Sequence, residues 1–140
     1  MYRRVILPTD GSELAMEGVR EGLKLAKTMD IPATAIYVIE MGEIRISENV
    51  KDSLKKTAKK ALDKVKKAAD ESGVELETKM LKGTPYQKIC EFAHEDDVIY
   101  ISSHGTSGFR EIFMGSTTNR VLKQADCTVS VVKGTPGKIE

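Results

Sequence analysis

Five short apolar runs, each followed by turn-forming residues and separated by longer amphipathic stretches, constrain this chain more than any other feature. Val5-Ile6-Leu7 (within a run starting at Arg3), Ala33 to Ile39, Val74 to Leu81, Val98 to Ile101 and Thr128 to Lys133 all have strand length. The stretches between them carry helical periodicity. Ser12 opens a pattern running to Met29, with Ala15, Gly18, Gly22, Leu25, Ala26 and Met29 on one face. Asn49 to Ser72 is the longest, with an apolar stripe of Leu54, Ala58, Ala61, Leu62, Val65, Ala68 and Ala69, and Gly73 ends it. Thr84 and Pro85 start a third helix, whose core face is Ile89, Cys90, Phe92 and Ala93. A fourth runs from Asn119 to Ala125. Strand and helix alternate throughout, which demands a parallel sheet with helices on both faces, because each crossover is right-handed. The run Ala33 to Ile39 is nearly all apolar, as a strand covered on both faces must be, whereas Val74 to Leu81 alternates and belongs nearer an edge. The expected fold is a three-layer α/β domain over residues 1–140.

Charge balance removes several function classes. Twenty-two Lys and Arg face 21 Asp and Glu, for a net charge of +1. That gives no ground for a nucleic-acid or membrane partner. The lysines of the long helix are interleaved with Asp52, Asp63, Asp70 and Glu71, so they read as a solvated face. No apolar run is long enough for a membrane span, and the first ten residues do not form a signal peptide, so the expected setting is the cytoplasm. Cys90 and Cys127 lack metal-type spacing and read as buried reduced thiols. His94, among Glu95, Asp96 and Asp97, reads as a solvent-facing residue near a helix end. Met41 to Ser47 reads as an irregular loop and Gly134 to Glu140 as a frayed tail.

Chemistry concentrates at two strand ends. The first strand stops at Pro8-Thr9-Asp10-Gly11, and the fourth opens into Ser102-Ser103-His104-Gly105. Further on, Gly115-Ser116-Thr117-Thr118 stands just before a helix, and Ser116, Thr117 and Thr118 are expected to add three uncharged hydroxyl donors in a row. The unpaired N–H groups of a first helical turn and the positive end of the helix dipole suit a phosphate, although such a sequence is also an ordinary N-cap. In an open sheet ordered 3-2-1-4-5 the winding reverses between strands one and four, so both turns would flank one crevice. There Asp10 would accept hydrogen bonds from a ribose or base, with the phosphates at the second turn and at Gly115 to Thr118.

From Val5-Ile6-Leu7-Pro8-Thr9-Asp10-Gly11-Ser12 to Val129-Ser130-Val131-Val132 the chain resembles the universal stress proteins. Nucleotide-binding members of that family carry glycine, two residues, glycine, nine residues, then glycine with serine or threonine. Here Gly105 and Gly115-Ser116 match, and Ser102 takes the place of the first glycine. The resemblance implies the 3-2-1-4-5 Rossmann-like sheet and an ATP or AMP ligand, with Mg2+ an open addition to ATP. It puts the nucleotide contacts at Asp10, Val38, the segment Ile101, Ser102, Ser103, His104 and Gly105, and the segment Gly115, Ser116, Thr117 and Thr118, beside Pro8 and Thr9 of the first turn. It also implies a homodimer through Thr128 to Val132 and a stress-response or regulatory role. Two alternatives stand beside this one: a nucleotide-free interaction protein, for which Ser102 argues, and a slow ATP hydrolase. Ser103 and His104 are adjacent on an extended segment and point apart, a poor nucleophile–base pair, so little turnover is expected.

Overall fold

The computed structural model describes residues 1–40, 47–103 and 115–134. Of the expected loop Met41 to Ser47 only Ser47 is among them, and of the expected tail only Gly134. Strands β1 (Arg4–Pro8), β2 (Ala33–Ile39), β3 (Leu76–Lys82), β4 (Asp97–Ser102) and β5 (Thr128–Val132) alternate with helices α1 (Glu13–Met29), α2 (Glu48–Ser72), α3 (Pro85–Phe92) and α4 (Ser116–Gln124). The strands form one sheet in the order β3-β2-β1-β4-β5, and every pairing is parallel. This is the expected architecture, with most boundaries moved by a residue or two and α4 starting three residues earlier than expected, at Ser116. Pro8 closes β1 instead of following it, and β3 begins at Leu76, with Val74 buried just ahead of it.

Two cores follow from the period of two along each strand. Val5, Leu7 and Val98 face α1 and α2, meeting Met16, Val19, Leu23, Leu62 and Val65. Ile6, Ile99 and Ile101 face the other way, toward Ile89 of α3 and Val121 of α4. Helix α1 does not bury all of the expected face. Leu25 and Met29 are only half-buried, and Met16, Val19 and Leu23 take the central places. The small residues set the distance of closest approach instead. A Cβ on Gly18 would lie 3.1 Å from the Ser102 backbone nitrogen, and one on Gly22 would collide with the side chains of Leu7 and Tyr100. Helix α1 therefore lies directly on β1 and β4, and the larger residues pack to either side.

The helix ends follow local rules. Ser12 and Ser47 cap α1 and α2 by accepting from Ala15 and Val50 N–H, at 3.1 and 3.3 Å. Gly73 ends α2 in the left-handed region at φ 72°, and Asp30 does the same for α1 at φ 56°, a conformation that short polar side chains tolerate. Thr84 occupies the N-cap of α3 without a side-chain capping bond. Cys90 and Cys127 are free and half-buried, not fully enclosed, and burial pushes both thiols up.

At the amino end of the sheet, Asp97 is completely buried. Its carboxylate accepts from Arg4 Nη2 at 2.7 Å, from Arg3 Nε at 3.2 Å and from the His94 backbone N–H at 2.8 Å. Arg4 also lies over the Phe92 ring, 4.6 Å from its centroid. His94 is exposed, as expected, but its neighbour Asp97 is not part of a solvated acidic run. It anchors the start of β4.

Candidate functional site

The loop after β1 is built by its own short polar side chains. Thr9 is buried and its N–H donates to the Ile36 carbonyl at 2.9 Å, so the chain stays beside β2 for one residue past the strand. Thr9 Oγ1 accepts from Gly11 N–H at 3.0 Å, and Asp10 Oδ1 accepts from Ser12 N–H at 2.9 Å. These two local turns hold the Asp10 carboxylate at the carboxyl end of the sheet. Gly11 is required where it stands. Its φ is 87°, and a Cβ would lie 3.2 Å from the Ala61 methyl of α2. Lys64 of α2 donates to the Gly11 carbonyl at 3.2 Å and ties the loop down from outside. The Tyr37 hydroxyl is held above the ordinary phenol range, first by burial and then by the negative charge of Asp10.

The second wall comes from β4. Its pairing with β1 runs from Arg4–Asp97 to Ile6–Ile99, while its pairing with β5 continues to Ser102–Val132. Beyond Ile99 the two central strands part, and the crevice opens there, at the winding reversal. Two hydrogen bonds fix α4 against this free end. Gly115 N–H donates to the Ser103 carbonyl at 2.7 Å, and Thr118 Oγ1 donates to the Ser102 carbonyl, also at 2.7 Å. Ser103 N–H in turn donates to the Val132 carbonyl at 2.9 Å. Gly115 is the N-cap of α4, and the first intrahelical bond runs from Asn119 N–H to the Gly115 carbonyl. The N–H groups of Ser116, Thr117 and Thr118 precede it and have no acceptor within the helix.

These parts surround one cavity of about 660 Å³. Pro8, Thr9, Asp10, Val38, Ile101 and Ser102 line it, together with all four residues Gly115 to Thr118, so the structure brings these expected site residues together. Ser103 is buried behind the wall, and His104 and Gly105 fall outside the described residues. One expectation needs correction. Three hydroxyl donors in a row are not on offer, because the single proton of the Thr118 hydroxyl is given to a carbonyl and the side chain is 4 % exposed. Gly115 N–H is likewise engaged.

Sequence reasoning missed Ile36, Pro85 and Ile89, which supply an apolar wall, and Tyr37, Glu40 and Leu54 near α2. A signal for the first group was present. Ile36 and Val38 share a face of β2, and Pro85 and Ile89 are one helical turn apart, so both pairs point into the same layer. Among the described residues no group of three or more His, Cys, Asp or Glu could hold a metal ion, and no helix is long and apolar enough to cross a membrane.

The universal stress protein family model matches residues 1–133. The chain belongs to the universal stress protein family. Among relatives, universal stress protein MJ0531 of Methanocaldococcus jannaschii is 37 % identical over 141 residues, covering 95 % of this chain and 83 % of its own. The solved structure of MJ0577, from the same organism, superposes with a TM-score of 0.80 at 30 % identity, covering 96 % of this chain and 98 % of the other. A universal stress protein from Archaeoglobus fulgidus, solved in complex with dAMP, has a TM-score of 0.70 at 21 % identity and covers 95 % and 98 % of the two chains. That last likeness concerns the fold alone. Ser102, expected in place of a motif glycine, is buried, 7 % exposed, at the carboxyl end of β4.

Proposed function

We propose that this universal stress protein binds an adenine nucleotide, ATP or AMP, and acts in a stress-response or regulatory capacity, with residues 1–140 working as one domain in the cytoplasm. The observation that carries the reading is the meeting of three elements at one cavity: the Thr9–Ser12 loop, the parted end of β4 and the amino end of α4. The base fits the apolar wall of Ile36, Val38, Pro85 and Ile89. The ribose hydroxyls are donors that the Asp10 carboxylate can accept. The phosphates sit at the N–H groups of Ser116, Thr117 and Thr118, where the helix dipole favours negative charge. The fold relative solved with dAMP supports the same ligand class. Mg2+ enters this proposal only as the companion of a triphosphate.

A ligand that binds only the native state raises its stability by about 2.7 kcal/mol at a hundredfold excess over Kd. Thermal unfolding with adenosine, AMP, ATP and GTP is expected to show an upward shift in midpoint with the adenine nucleotides and less with GTP. No shift with any adenine ligand at millimolar concentration overturns the proposal.

We further propose a homodimer through β5. This strand is a sheet edge, and Val129, Val131 and Val132 are half-buried on it. An apolar edge of this kind is an association hazard unless a two-fold mate covers it. Sedimentation is expected to show a dimer that Val131→Lys converts to monomer. A parent chain that is monomeric at micromolar concentration removes this part of the proposal.

A further inference from the structure

We infer that Thr118 is a positioning residue for the phosphate end of the cavity, acting through the Ser102 carbonyl and not by touching the ligand with its hydroxyl. The inference rests on the adenine-nucleotide reading above. Thr118 is a buried polar residue whose Oγ1 donates to the Ser102 carbonyl at 2.7 Å. A phosphate oxygen accepts hydrogen bonds and donates none, and a hydroxyl carries one proton. With that proton on Ser102, the Thr118 side chain has no donor left for an anion.

Its geometry explains what the bond does instead. Helix α4 is held to β4 at its N-cap by the 2.7 Å bond from Gly115 N–H to the Ser103 carbonyl. The next anchor along it is Val121, buried in the core, so without another bond the first turn between them could shift. The second attachment, three residues on, comes nearly one helical turn further and removes that freedom. The two bonds together set the direction in which the N–H groups of Ser116 and Thr117 point. The acceptor is itself well defined. The β1–β4 pairing has ended at Ile99, and Ser102 is held in register by Val132 on the other side. The hydroxyl thus fastens the helix to the open edge of β4, where β1 no longer reaches. On its far side, the Ser102 backbone nitrogen lies 3.1 Å from the point where a Cβ on Gly18 would stand. The carbonyl that receives the bond therefore belongs to backbone braced by α1.

The consequence is selective. Loss of the hydroxyl should disturb ligands in proportion to what they place at α4, leaving the apolar wall and Asp10 untouched. The test is calorimetry on the full chain with AMP and with adenosine, which lacks the phosphate, using the parent, Thr118→Val and Thr118→Ser. The valine variant keeps the shape and removes the donor, and the serine variant restores it. Thr118→Val is expected to weaken AMP at least tenfold and adenosine no more than twofold, with Thr118→Ser within threefold of the parent for AMP. Equal losses for the two ligands, no loss for either, or a serine variant that behaves like valine overturns the inference. Should Thr118→Val fail to fold, Thr118→Ala, which also lacks the donor, replaces it under the same criteria. A parent chain that binds neither ligand removes the nucleotide reading and the inference with it. A parent that binds both ligands, with an unselective Thr118→Val, removes the inference alone.

Discussion

Asp97→Ala is expected to lower the thermal midpoint by roughly 10 °C, a destabilisation of about 3 kcal/mol. Removing one partner of a buried ion pair costs about 3–5 kcal/mol because the remaining charge is stranded. Here the lower end applies. Arg3 is already 48 % exposed and can turn to water, and Arg4 keeps its place over Phe92. What cannot be replaced is the acceptor for His94 N–H and for Arg4 at the start of β4. The same carboxylate gives the protein an acid-sensitive component. Burial alone would raise it, but the hydrogen bonds from Arg4 and His94 and the charge of Arg4 outweigh burial and hold it below the usual carboxylate range. A folded pKa below the unfolded value of about 3.9 means the stabilisation is complete above that value. It is lost as pH falls further, through the folded pKa. Urea titrations at pH 7 and at about pH 3 check both points. The alanine variant should have a lower midpoint with an unchanged slope at pH 7, and the gap between the two chains should narrow in acid. Equal midpoints at pH 7 dispose of the argument.

Gly115→Val is expected to weaken AMP or ATP at least a hundredfold, about 2.7 kcal/mol, while the chain still folds. Gly115 has φ −61° and ψ 159°, an ordinary extended conformation, so a branched side chain brings no backbone strain. It also lines the cavity at the amino end of α4, where the proposed nucleotide would bring its phosphate close to main-chain N–H groups. A valine there fills the approach. By contrast, Ser116 is exposed and its hydroxyl contributes at most one neutral hydrogen bond, so Ser116→Ala should cost only about 1 kcal/mol. Calorimetry on the two variants separates a cradle made of backbone from one made of hydroxyls. If Gly115→Val binds like the parent, the phosphates lie elsewhere.

The fold was largely legible because periodicity reports burial directly. Ala33 to Ile39 reads as an interior strand for the same reason that it is one, and the alternation before Leu81 reflects an edge with one face in water. Much of the site was also legible. Turn residues at Thr9 to Gly11 and the Gly115 N-cap do their work through local hydrogen bonds, and local chemistry is written in adjacent positions. The features that escaped depend on distance along the chain. Asp97 sits beside Glu95 and Asp96 in sequence and looks solvated with them, and its partners Arg3 and Arg4 lie more than ninety residues away. The Thr118 hydroxyl looks like an available donor until its acceptor, sixteen residues earlier, is known. Pro85 and Ile89 read as plain helix start and core, because nothing local says that the core layer they join opens into a cavity.

The two rims of the sheet differ in a way that bears on how far association can go. Along β3, Glu77 and Lys79 pair with each other at 2.8 Å, and Glu77, Thr78 and Lys82 are exposed, with Met80 the one exposed apolar side chain among them. Along β5 the side chains are mainly valine. An open sheet with two sticky rims could add copies at both ends and grow into a fibre. This one has a charged rim that discourages strand addition and an apolar rim that invites it. If two copies join through β5 about a two-fold axis, each has used its only receptive rim, and the assembly presents β3 at both ends. Growth then stops at two, and the charges on β3 serve as a terminator of polymerisation.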